Sequence, residues 1–133
     1  MTAGEFQAEF NEWTGEPYNY RLVSVCGYEV GGQERFAAVW EDRPGPDWIS
    51  HASITEPQFA ALRATYAADD LHPVNISGYG VGGQDLYNVI WEHAPGADIV
   101  SEVGMSYVDF LAELVNWELQ GYEPVHHWRR CVF

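Results

Sequence analysis

Gly27-Tyr28-Glu29-Val30-Gly31-Gly32-Gln33-Glu34-Arg35-Phe36-Ala37-Ala38-Val39-Trp40-Glu41 returns 51 positions later as Gly78-Tyr79-Gly80-Val81-Gly82-Gly83-Gln84-Asp85-Leu86-Tyr87-Asn88-Val89-Ile90-Trp91-Glu92. No gap separates the two copies, so the chain is an internal repeat and its architecture follows from one unit. In each copy a Gly-Gly pair divides two β-rich runs. A two-residue turn needs positive φ at both positions, so the pattern predicts a β-hairpin. A glycine-rich phosphate loop would open a helix after the glycines, and none begins here. Gly-Gly-Gln also marks catalysts of peptidyl-tRNA hydrolysis. Two copies in predicted hairpins, on a chain almost without basic charge, exclude that reading. Gln33 and Gln84 simply open the second strands.

Upstream of each hairpin lies a helix with a recognisable start. Thr2-Ala3-Gly4-Glu5 and Thr55-Glu56-Pro57-Gln58 are capping boxes, and Ser106-Tyr107-Val108-Asp109 is a shorter-armed third. Met1 precedes the first cap, placed to staple onto Phe6. Pro57 falls in the first turn, where its missing N–H does no harm. Apolar residues then follow at helical spacing: Phe6, Phe10 and Trp13; Phe59, Leu62 and Tyr66; Phe110, Leu111, Leu114 and Trp117. Stripes of this kind are core faces. Each helix hands over to a strand starting near Tyr20, Leu71 and Tyr122, with Gly121 closing the third helix. The stretches Asp42–His51 and His93–Glu102 read as long Pro-Gly connectors, with Trp48-Ile49 and Ile99-Val100 tucked under the sheet.

The order is therefore α-β-β-α-β-β-α-β: an α+β fold of tandem helix–β-hairpin repeats, with an antiparallel sheet packed by helices. The 133 residues form one domain, with units 1–50 and 51–101 and a partial unit 102–133. A single unit cannot bury its own helix face, so the units must stack.

Twenty Asp and Glu against six Lys and Arg give a net charge of −14. That balance excludes nucleic acid and anionic membrane as partners, because both require clustered cations. No eighteen-residue apolar run is present and the N-terminus carries no secretory pattern. A cytoplasmic protein is expected, or an extracellular one if the module belongs to something larger that is exported. Cys26 and Cys131 fit no metal or redox spacing. Two buried free thiols are the simpler expectation, and a pair the alternative. His126 and His127 are adjacent on a predicted strand and point to opposite faces, so they cannot share a metal ion. No cofactor and no metal are expected.

The Gly-Tyr-x-Val-Gly-Gly-Gln hairpin, its aromatic-Ala-x-x-Trp-Glu strand, the Pro-Gly-Pro-x-Trp connector and the Thr-capped helix together resemble a bacterial tandem-repeat module. That module accompanies β-lactamase-like serine hydrolases, and it is similar to the N-terminal repeat domain of polyglycine hydrolases. The resemblance covers almost the whole chain. Two departures stand out: Asn19-Tyr20 replaces the Gly-Tyr lead in the first unit, and the third unit lacks the Gly-Gly hairpin. In that family the chemistry belongs to an attached domain with a Ser-x-x-Lys motif. This chain contains no lysine, so that activity does not carry over.

The residues that could meet a ligand are the hairpin signature: Tyr28, Gln33, Trp40 and Glu41, and their copies Tyr79, Gln84, Trp91 and Glu92. A Trp beside a carboxylate can stack on and bond a sugar or peptide. The tryptophans read first as filling the space between helix and sheet, while each Glu reads evenly as capping a turn or meeting a ligand. The reading is a non-catalytic repeat module that binds or positions a protein, peptide or glycan. Self-association through the incomplete third repeat is a further expectation. The alternative is a small hydrolase with an inter-repeat pocket lined by Tyr, Trp and Glu.

Overall fold

The structure, a computed structural model, describes residues 1–124. It contains α1 (Ala3–Thr14), β1 (Arg21–Val30), β2 (Gln33–Glu41), β3 (Trp48–Ile54), α2 (Glu56–Ala67), β4 (Leu71–Val81), β5 (Gln84–His93) and α3 (Tyr107–Leu119). The α+β repeat of helix and hairpin is as the sequence predicts. Both capping boxes close, with Thr2 against Glu5 and Thr55 against Gln58. Ser106 accepts from the Asp109 amide, and no reciprocal bond from Asp109 completes the box. Gly121 takes a φ of 90° just past α3, where a left-handed residue ends a helix.

Both hairpins turn through two glycines with φ near 60° and 80°, at Gly31-Gly32 and Gly82-Gly83. Those are the angles of the primed turn that suits twisted strands. The register also repeats. Each first strand bulges at the same place, between Leu22 and Ser24 and between Pro73 and Asn75.

The strands divide between two antiparallel sheets rather than joining in one: β1-β2, and β3-β5-β4. β3 is the strand the sequence reading takes for a connector. It pairs along β5, setting Trp48 opposite Glu92 and Ile49 opposite Trp91. The first unit thus lends a strand to the sheet of the second. Trp48 does pack inward, against the first core cluster. The predicted final strand is not begun by Tyr122–Pro124, and its remainder lies outside the described residues, as do His126, His127 and Cys131.

Two cores result. Phe6, Leu22, Val25 and Phe36 of the first unit enclose Tyr79 and Ile90 of the second, so α1 and the second hairpin share one face of the β1-β2 sheet. Phe59 of α2, with Ile54, covers Tyr87, Val89 and Trp91 on the opposite face of β5. Burial on both faces explains why β5 reads as a nearly unbroken apolar run. The other face of β1-β2 is open, and Val39 there is 52% exposed.

Candidate functional site

Two places between repeat units bring polar side chains together. The first is the seam where the second unit seats on the first. Gly27 makes it possible: a Cβ there would lie 2.2 Å from the Tyr79 ring. With no side chain in the way, Tyr79 lies over β1 and meets Phe36 edge-on at 6.2 Å. The Gly27 amide donates to Ser77 Oγ at 3.2 Å. The Tyr79 hydroxyl donates to Glu34 Oε1 at 3.2 Å and reaches Ser53 Oγ at 3.0 Å. Ser53 Oγ also bonds Glu34 closely, and the Ser53 amide donates to the buried Asn88 Oδ1 at 3.0 Å. Burial pushes the Tyr79 phenol far above its ordinary range, so it stays a neutral donor. Ser53 holds a left-handed φ of 58° in the bulge where β3 leaves β5. At the other end of the seam Arg21 Nη2 meets Glu92 Oε1 at 3.1 Å and the Pro46 carbonyl at 2.9 Å. This seam is closed by packed rings and hydrogen bonds, though Arg21 Nε and Asn88 Nδ2 are buried in it without a partner among the described residues. It is a joint.

The second place is open. Between β4, the 98–106 segment, α3 and residues 121–124 lies a cleft of about 1030 Å³. Ile76, Gly78 and Tyr87 form its floor, and Phe110, Trp117 and Tyr107 line its helix side. Asp85, Glu102 and Glu113 add carboxylates. Tyr122 closes one end, donating to Asp98 Oδ2 at 2.6 Å and meeting the Trp117 ring at 5.2 Å. That bond to Asp98 raises the Tyr122 phenol. Tyr87 is raised by burial, and by the charges of Asp85 and Glu56. Aromatic faces beside acceptor-only carboxylates can stack on a planar or sugar ring and hold hydroxyl, amide or cationic donors. Among the described residues no group of three or more His, Cys, Asp or Glu side chains could hold a metal.

The eight hairpin residues are not gathered here. Only Tyr79 touches the cleft. Trp91 is wholly buried, stacked on Phe59 at 5.6 Å and edge-on to Tyr66 at 5.2 Å. That corrects the ligand-stacking expectation for it, since no ring face is left for a ligand. Trp40 packs beside Phe6 at 6.3 Å. Glu92 is taken by Arg21, and Glu41 pairs with Arg43 at 3.0 Å on the surface. Gln33 and Gln84 are exposed at the turns, Gln33 accepting from Arg35, and Tyr28 is half-buried on β1. The sequence reading did not single out the cleft residues Tyr87, Tyr107 and Glu113 as ligand contacts: Tyr87 and Tyr107 sit within the hairpin repeat and the third helix cap, and Glu113 in no motif. The signal available was the third helix itself, whose aromatic stripe of Phe110 and Trp117 lines the cleft.

Cys26 also departs from the simpler expectation. It is disulfide-bonded, and no cysteine among the described residues is free. No helix among the described residues is long and apolar enough to cross a membrane. Compared with known proteins, residues 1–43 and 45–94 match the model of the polyglycine hydrolase-like structural repeat. No curated protein matches the chain. No solved structure does either.

Proposed function

Because the chain belongs to the family of polyglycine hydrolase-like structural repeats, we propose that it is a non-catalytic module that binds a protein, peptide or glycan in the cleft between β4 and α3. The observation that carries this is the contrast between its two inter-unit spaces. One is filled by packed side chains; the other is an aromatic and acidic cleft of about 1030 Å³. That size and lining suit a ligand site. The disulfide at Cys26 fits an oxidising compartment better than a cytosolic one.

The test is direct binding of glycan and peptide panels to the protein and to Tyr107→Ala and Glu113→Lys, which alter the cleft without touching a core residue. Binding that weakens in both, and survives in Gln33→Ala on the distant turn, is expected. Panels that bind nowhere, or bind all four proteins alike, would overturn the reading. The alternative, a small hydrolase, is favoured by one observation: the carboxylates of Asp85, Glu102 and Glu113 all line this cleft. Turnover of a panel member, abolished in a cleft variant, would establish it instead.

A further inference from the structure

The joint between the units holds more chemistry at one end than a joint requires. Ser53 sits in the bulge of β3 with a left-handed φ of 58°, a conformation that suits glycine and strains a residue with a Cβ. Shifted by 51 positions the same place is Gly104, also left-handed at 77°. The backbone here is one that glycine fits, and the strain at Ser53 comes with its hydroxyl.

The groups around that hydroxyl are not dictated by the repeat either. Asn88 is wholly buried where the first unit has Ala37, and its Oδ1 accepts from the Ser53 amide at 3.0 Å. Ser53 Oγ donates to the Glu34 carboxylate, closely to Oε1 and at 3.2 Å to Oε2. The buried Tyr79 holds its hydroxyl 3.0 Å from Oγ and 3.2 Å from Glu34 Oε1. Ser53 and Glu34 themselves are only half-buried, so the pair can be reached from solvent. A hydroxyl bonded to a base, with the base oriented by a third group, is the arrangement of an activated nucleophile. Tyr79 is that third group, and burial keeps it a protonated donor.

We propose that Ser53 is a covalent acceptor site, taking an acyl group from a small ester with Glu34 as its base. Oγ bonds the carbonyl carbon, its proton passes to Glu34, and the carbon–oxygen bond to the leaving alcohol breaks. The alcohol departs with the proton from Glu34, which restores the carboxylate. Tyr79 still donates to that carboxylate, so Glu34 is engaged by a neutral donor rather than free to activate a water. The ester persists, and the module stays non-catalytic. A chain of net charge −14, with a carboxylate at the site, selects neutral or cationic esters. Neither Ser53 nor Glu34 lines the cleft, so this site is distinct from the binding site proposed there.

The probe is p-nitrophenyl acetate, mixed in excess with the whole chain, with nitrophenolate release and intact mass followed together. One equivalent of nitrophenolate per chain should appear in a burst, and peptide mass mapping should place the acetyl group on Ser53. Glu34→Gln should slow the burst about a hundredfold or more, the usual loss of a general base. Ser53→Gly should abolish it. That variant carries the residue of the next unit at this backbone position, so it removes the hydroxyl and relieves the strain together, and its circular dichroism should match the parent's. No burst, an acetyl group found only elsewhere, such as on the N-terminal amine, or a rate indifferent to Glu34→Gln overturns the proposal. So does release that continues well past one equivalent in the parent but not in Ser53→Gly, which would make Ser53 a turnover catalyst. None of these outcomes bears on the cleft, which Tyr107→Ala and Glu113→Lys test.

Discussion

At Gly27 the joint between the two units rests on the absence of one atom. A Cβ there would sit 2.2 Å from the Tyr79 ring, inside any permitted contact. Gly27→Ala is therefore expected to lose about 1–3 kcal/mol, the usual cost of overpacking a closed core. Gly4 makes the contrast: it lies in α1 with nothing within 4 Å of a built Cβ. Gly4→Ala should gain up to about 1 kcal/mol through helix propensity alone. Urea unfolding of the two variants reads both signs. His51 supplies a pH-dependent case. Burial lowers its pKa, so as pH falls the unfolded chain takes up the proton first. Its contribution is complete above about pH 6.5 and is lost as the pH drops below that. Stability should fall more steeply between about pH 7 and 5.5 in the parent than in His51→Gln, and equal slopes would dismiss the effect. The sequence showed that glycine and tyrosine recur together. Which copy's tyrosine meets which copy's glycine depends on stacking, and no local pattern records that.

The elements divide by whether their determinants are local. The capped helices and Gly-Gly hairpins were legible because a cap or a primed turn is decided within four or five residues. β3 was not. Its strand character comes from pairing with β5, some forty residues further on, and its bulge at Ser53 breaks the period that would betray a strand. Locally the same residues read as a Pro-Gly connector. The cleft was hidden for a related reason: its walls, β4, the 98–106 segment and α3, are brought together only by the fold. Two cap deletions separate these situations. Thr55→Ala removes the bond to the Gln58 amide in a helix anchored by the buried Phe59, and about 1 kcal/mol should be lost from global unfolding. Ser106→Ala removes the matching bond in α3, none of whose residues is fully buried. Its loss should appear as faster hydrogen exchange within α3, with the global midpoint nearly unchanged. Equal shifts in the two midpoints would mean that α3 is as firmly held as α2.

Across the whole molecule, the two units are tied at both ends of their seam, and the Arg21 end is the sharper test of whether they behave as one body. Arg21 is buried on β1 of the first unit, its guanidinium over Gly45, and it bonds Glu92 on β5 of the second and the Pro46 carbonyl of the connector between them. Arg21→Met keeps apolar bulk but leaves Glu92, whose side chain is 23% exposed, without its partner. Truncating one member of such a pair costs about 2–5 kcal/mol, much of it the penalty of the abandoned charge. Pairing Arg21→Met with Glu92→Met removes that penalty, so the double variant should be more stable than the sum of the single losses predicts. Because the Phe36–Tyr79 packing and the Ser53–Glu34 bonds remain, the variants should still unfold in one transition, at a lower urea midpoint. Two separate transitions in Arg21→Met would show that the charge pair, and not the aromatic seam, makes the units cooperative. Additive losses in the double variant would show that Arg21 acts through Pro46 alone.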